Sequence, residues 1–217
     1  MSIRTKRSGI AVWTALVAVG ALLAFVARGA GPLPGDLLLA RFIQDLPLPG
    51  GVVGTLLSNA DSAVWLLLVL ALTTTLLRRR WSAALFVFLA SFTAVFMGVA
   101  LKLIVARLRP SAELVQVSDP SQTDSFPSIT AFFSVVLLGV IVYLIWRTQP
   151  PRPVLNVALG ASSVLILALG FSRVYVGEHW ATDVLGGWLF GAAWLLMLVA
   201  AHRQWLSRQK GSQERRA

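Results

Sequence analysis

The sequence predicts an all-α polytopic membrane protein, a single domain over residues 1–217 built from six transmembrane helices. Three observations predict it. Hydrophobic residues make up 57% of the chain and charged residues 13%, where a soluble domain carries about a quarter charged residues. Mean hydropathy is +0.76. Apolar stretches of about 20 residues, long enough to cross a bilayer as helices, recur along the chain, and most basic residues stand beside them.

There are no cysteines, so disulfides, thiol nucleophiles and zinc–thiolate sites are excluded. The net charge of +10 would suit nucleic acid. Its placement at the ends of apolar runs assigns it to membrane topology instead, and no nucleic-acid partner is expected.

The elements follow in order. Arg4, Lys6 and Arg7 precede the first span, 8–27. A cleaved signal peptide also begins basic and then apolar, but the run is long for one and AFVARGAG is a poor cleavage site. Residues 31–51 form a connector with Pro32, Pro34, Pro47 and Pro49. Within it Leu38, Leu39, Phe42 and Ile43 fall at helical spacing, which predicts a short amphipathic helix at the interface, more a packed connector than a gate for lipid. The second span is 52–77, with Asn59 and Asp61 near its start. An acid there is either functional or a helix cap, and the cap is favoured because Asp61 opens a long apolar run.

The third span, 81–106, carries Lys102 near its end, which must face a polar cavity or snorkel outward. Pro110 stops it. A polar loop, 111–126, leads to Pro127 and Ser128, which open the fourth span, 128–146; its first-turn amides favour an anion. After the basic turn at 147–153 comes the fifth span, 154–170. The sixth, 184–201, has Gly186, Gly187 and Gly191 for close helix contact. Residues 202–217 read as a flexible tail, with His202 a solvated terminal residue.

Six spans put both termini on one side. That side holds 13 of the 19 Lys and Arg residues. The positive-inside rule therefore places both termini in the cytoplasm of a multi-pass plasma (inner) membrane protein. Lys102, Arg109, Ser128, Arg173, His179 and Asp183 then fall at the periplasmic or extracellular face. Three cations kept on the disfavoured side point to a shared anion site. His179 and Asp183, four apart, share one face of a helical turn, and a carboxylate-oriented histidine is a usual nucleophile or base.

Residues 102–110 read KLIVARLRP and residues 172–183 read SRVYVGEHWATD. A lysine, six residues, then Arg-Pro, followed later by Ser-Arg, five residues, His, three residues and Asp, resembles the type 2 phosphatidic-acid phosphatase superfamily. The order of the motifs and the six-span layout match as well. The resemblance implies a bundle of that type and a membrane lipid phosphatase with no metal or cofactor. It implies that His179 attacks phosphorus to give a phosphohistidine and that Asp183 holds the imidazole. Lys102, Arg109 and Arg173 would bind the phosphoryl oxygens, with Ser128 adding a hydrogen bond.

The middle motif departs from the family. Its Pro-Ser-Gly-His is here Pro127, Ser128, Ile129, Thr130, so the histidine that protonates the leaving group is missing. General acid catalysis is worth roughly 10²–10⁴-fold. A lipid diphosphate needs it least, because a phosphate departs and not an alkoxide. The preferred substrate is therefore an isoprenoid diphosphate such as undecaprenyl diphosphate. Alternatively Glu178, Glu113 or Asp124 supplies the proton. Phosphatidate, phosphatidylglycerol phosphate and lipid A phosphates stay open as substrates. So do phosphotransfer to another lipid and binding without turnover. A phosphorylated lipid and the bilayer are the partners expected; the sequence carries no signal of oligomeric state.

Overall fold

A computed structural model describes residues 3–29, 31–47, 68–70, 72, 80–118 and 123–214. The helices are α1 (Ile3–Ala27), α2 (Asp36–Gln44), α3 (Trp81–Val105), α4 (Ile129–Arg147), α5 (Arg152–Tyr175) and α6 (Ala181–Glu214). No strand occurs among the described residues. Five helices, α1 and α3 to α6, are long and apolar enough to cross a membrane. The expected span 52–77, with Asn59 and Asp61, lies outside the described residues except for 68–70 and 72.

α4 is the central helix. It packs against α3, α5 and α6, and α1 leans on α6. Its Phe132, Val136, Leu137 and Val140 are buried against Phe86, Val87, Ala90 and Ala94 of α3. The outer surface is apolar too: Phe25 is 77% exposed, Leu103 73% and Phe96 69%. In water such bands would drive association; against lipid tails they are at home. This is a membrane protein.

Glycine decides how closely α6 meets α4. A Cβ at Gly187 would sit 2.7 Å from the Ser128 carbonyl oxygen, and one at Gly191 would sit 2.8 Å from that of Phe132. Bare backbone there lets the start of α6 lie directly on the start of α4. The predicted small-residue contact is thus present, and it places Asp183 beside the 125–128 segment: the Ser128 amide donates to the Asp183 carbonyl at 3.0 Å.

α2 is a packed connector, as expected. Leu38 and Phe42 face outward while Ala40 and Asp36 are buried. Arg41 donates to the Leu114 carbonyl at 3.1 and 3.2 Å, and the Gln44 amide nitrogen donates to the carbonyls of Gln116 and Tyr175. α2 therefore pins the 111–118 loop against the end of α5.

Several boundaries differ from expectation. α5 continues past residue 170 to Tyr175, so Arg173 lies in its last turn and not in a loop. Pro127 precedes the Ser128 cap of α4 and is not in the first turn. α6 runs on to Glu214 where a tail was expected. His202 is 6% exposed, not solvated. It stacks on Phe86 with ring centroids 4.1 Å apart, and its Nδ1 lies 3.1 Å from the Tyr143 hydroxyl. The extended helix carries it back over α3 and α4.

The turn after α5 depends on Gly177, whose φ is +73° and whose added Cβ would stand 2.0 Å from the Gln116 carbonyl oxygen. Gly177→Ala combines a left-handed penalty with a backbone clash. It is expected to destabilise the protein by about 2 kcal/mol or more, read as a lowered thermal midpoint of the purified protein in detergent. An unchanged midpoint would mean the 111–118 loop does not bear on this turn.

Candidate active site

Four helix ends meet at one end of the bundle: the C-terminal turns of α3 and α5 and the starts of α4 and α6. They bring Lys102, Arg173, Ser128 and Asp183 together, with the non-helical segments 106–110, 123–128 and 176–180 between them. Lys102, Arg109, Ser128, Arg173, His179 and Asp183 thus share one location.

Asp183 is at the centre and fully buried. It lies in the first turn of α6. One oxygen, Oδ2, accepts from the Trp180 amide just before the helix at 2.9 Å, a capping contact. The same oxygen accepts the Ser125 hydroxyl at 2.5 Å. Oδ1 accepts Arg107 Nη1 at 2.5 Å. The other nitrogen of that guanidinium, Nη2, donates to Asp36 Oδ2 at 2.6 Å. Asp36 also accepts the Thr182 amide and the Leu33 amide, both at 2.9 Å. Arg107, Asp36 and Asp183 all have side chains of zero exposure.

His179 precedes α6, so it does not share a helical turn with Asp183. Its Nδ1 lies 3.7 Å from Asp183 Oδ2, beyond a direct hydrogen bond. The Ser125 hydroxyl, 3.5 Å from Nδ1 and bonded to the same Oδ2, lies beside them. With acceptors on that side, Nδ1 carries the ring proton and Nε2 keeps its lone pair. Burial pushes the His179 pKa down from 6.5 to about 4; Asp183 opposes the shift, and the positive charges of Lys102 and Arg109 add to it. The imidazole is therefore neutral at pH 7, as an attacking nitrogen must be.

Two of the three cations are aimed by backbone carbonyls. Lys102, buried in the last turn of α3, donates to the carbonyl oxygens of Asp124 and Ser125. Arg109 donates to the Thr123 carbonyl at 2.8 Å and the Glu178 carbonyl at 2.9 Å. The Arg173 carbonyl accepts the amides of both Glu178 and His179, which ties the histidine to the arginine. Its guanidinium pairs with Glu178 Oε2 at 3.1 Å. Glu178 is thus a carboxylate next to His179 in the chain, already held by Arg173. Ser128 caps α4, accepting from the Ala131 amide at 3.4 Å. Thr130 is half-buried in the first turn of α4, Asp124 is half-buried and Glu113 is exposed. Ile129, in place of the family's glycine, packs its Cγ1 where a side chain on Gly98 of α3 would begin. Among the described residues no group of three His, Cys, Asp or Glu is placed to hold a metal ion.

Sequence reasoning missed Asp36, Arg107, Ser125 and Thr182. Arg107 was legible only as one more cation on the disfavoured side, and Asp36 as an acid between prolines at the start of a short helix.

The family model described as PAP2 superfamily matches residues 62–207. An undecaprenyl-diphosphatase of Sulfolobus acidocaldarius is 34% identical over 108 residues, 48% of this chain and 48% of that protein. A phosphatidylglycerophosphatase B of Bacillus subtilis is 33% identical over 119 residues, 52% of this chain and 55% of that protein. The chain spans about half the length of the curated relatives it matches. The crystal structure of the first transmembrane PAP2 type phosphatidylglycerolphosphate phosphatase from Bacillus subtilis superposes with a TM-score of 0.78. It covers 88% of this chain and 96% of that one at 21% identity, which shows a common fold.

The chain has two histidines, so ¹⁵N-histidine NMR resolves His179 by comparison with His179→Ala. The His179 titration is expected near pH 4, with the Nδ1–H tautomer above it. A midpoint at 6.5 would contradict a buried, cation-flanked imidazole.

Proposed function

The chain belongs to the PAP2 superfamily, and from that premise we propose that it is a membrane-embedded lipid phosphatase acting through His179. The observation that carries this reading is a neutral, buried imidazole whose Nδ1 faces Ser125 and Asp183, tied through the Arg173 backbone to a group of three cations. Charge on a transferring phosphoryl group spreads over its peripheral oxygens, so fixed cations provide much of the catalysis. In the proposed reaction Nε2 of His179 attacks the terminal phosphorus. The phosphorus–oxygen bond to the leaving group breaks and a phosphohistidine forms. Water then attacks that phosphorus, the phosphorus–nitrogen bond breaks, and inorganic phosphate leaves. Lys102, Arg109 and Arg173 receive the phosphoryl oxygens, and Arg173 exchanges Glu178 for the phosphate. Ser128 adds a hydrogen bond. Asp183, through Ser125, keeps the Nδ1 proton in place.

An isoprenoid diphosphate is the preferred substrate. Thr130 stands where the family places its acid, and a threonine hydroxyl does not give up a proton at neutral pH. A departing lipid phosphate needs little protonation; a departing alkoxide needs much. The similarity to a protein named undecaprenyl-diphosphatase supports this choice. The similarity to a phosphatidylglycerophosphatase favours a second reading, a phosphoglycerolipid monoester, with Glu178 or Asp124 as proton donor. By the basic-residue count the site faces the periplasm or cell exterior of the plasma membrane, with both termini cytoplasmic. The product lipid monophosphate would be a carrier made ready for another round of envelope synthesis.

Purified protein in detergent is expected to release inorganic phosphate from undecaprenyl diphosphate and at least tenfold less from phosphatidate. His179→Ala should lose roughly 10³-fold or more. Equal release from both lipids would replace the leaving-group argument with the second reading. Release that survives His179→Ala would exclude the proposed nucleophile.

A further inference from the structure

Asp183 is not held by its histidine partner. It is held by Arg107, and Arg107 is shared with Asp36 of the connector helix. The guanidinium spans the two carboxylates, with Nη1 on Asp183 at 2.5 Å and Nη2 on Asp36 at 2.6 Å. Nη1 also reaches the Thr182 hydroxyl at 2.7 Å, and Nη2 reaches the Gly31 carbonyl at 2.9 Å. Asp36 in turn receives the amide and hydroxyl of Thr182, the residue next to Asp183, at 2.7 to 2.9 Å. The three charged side chains are fully buried, while Thr182 and Gly31 are half-buried.

A buried ion pair is a poor stabiliser, because desolvation offsets most of the Coulomb gain. What two carboxylates on one guanidinium achieve is a particular charge at a particular place. Arg107 alone would fix the Asp183 side chain but cancel its charge. Asp36 on the far side of the guanidinium leaves the trio with one negative charge in excess. Asp183 brings that charge to the Nδ1 side of His179, while Lys102 and Arg109 act on the imidazole with positive charge. The histidine gains positive character when its Nε2 bonds to phosphorus, and a negative field behind it stabilises that state.

We propose that Asp36 and Arg107 are positioning residues for the reaction, a charge-balanced clamp from the connector helix that fixes Asp183 and preserves its negative field on His179. The clamp makes residues 31–44 part of the catalytic unit and not only a link between spans. The inference rests on His179 as the reacting group, and its test separates the two ideas.

Full-length Asp36→Asn, Arg107→Gln and Asp36→Glu are compared with the unaltered chain in detergent, each shown to be monodisperse before assay. Two readouts are taken: phosphate release from undecaprenyl diphosphate, and the His179 titration by ¹⁵N NMR. Asp36→Asn is expected to lower kcat 10–100-fold, the scale seen when a group that orients a ligand is lost. KM should move less than threefold, and Asp36→Glu should recover part of the loss. Asp36→Asn removes a negative charge and should move the His179 midpoint down; Arg107→Gln removes a positive charge and should move it up. A purely structural role gives no such opposition. The proposal is overturned if Asp36→Asn keeps full kcat per folded protein. It is also overturned if neither variant moves the midpoint, or both move it the same way. Should Arg107→Gln not fold, the downward shift with Asp36→Asn decides. Should the unaltered chain release no phosphate from any lipid, the phosphatase reading fails and the titration still tests the clamp.

Discussion

The constraint on which the rest of this structure depends is the burial of the Asp183 carboxylate. A lone buried carboxylate is costly and must be paired and hydrogen-bonded. Its partners come from four places in the chain: Arg107 after α3, Ser125 before α4, Trp180 ahead of α6 and, through Arg107, Asp36 in α2. Satisfying one carboxylate therefore fixes how three helix ends and the connector meet. The glycines of α6 serve the same arrangement, since a side chain at position 187 would push the start of α4 away from Asp183.

The cations are treated differently. Lys102 and Arg109 are aimed by backbone carbonyls of Thr123, Asp124, Ser125 and Glu178. Carbonyl dipoles orient a charge without cancelling it, so the positive field of these two groups is left for an anion. Arg173 has a carboxylate partner, Glu178, with a side chain 20% exposed. The site thus holds its positive charge in two settings, one oriented by carbonyl dipoles and one paired with a carboxylate. In surroundings of low dielectric, both act more strongly than they would in water.

Much of this was legible in the sequence, because spacing within a motif is local. The lysine and arginine of 102–110 and the arginine, histidine and aspartate of 172–183 are brought to one end of the bundle. The expected small-residue face of α6 meets α4. The clamp was not legible, because its bonds join residues 71 to 146 positions apart, and nothing local marks Asp36 as the partner of Arg107. The His179–Asp183 contact was read as a helical one; the chain turns before α6 begins, and a serine outside both motifs joins the pair from the side. Ile129 looked like a simple departure from a glycine. The structure shows it packed on Gly98, a glycine on the opposite helix. His202 was read as a solvated end because hydropathy falls after residue 201, yet the helix persists and the aromatic rings of Phe86 and Tyr143 bury it.

A covalent bond between His179 and the transferred phosphoryl group is the central step of the proposed reaction. The direct measurement is a rapid acid-free quench of the purified protein with undecaprenyl diphosphate radiolabelled at its terminal phosphorus. A phosphohistidine would appear as acid-labile, alkali-stable label on the peptide containing His179, rising and falling with turnover. Phosphate release with no label on that peptide, or with label on another residue, would contradict His179 as the nucleophile.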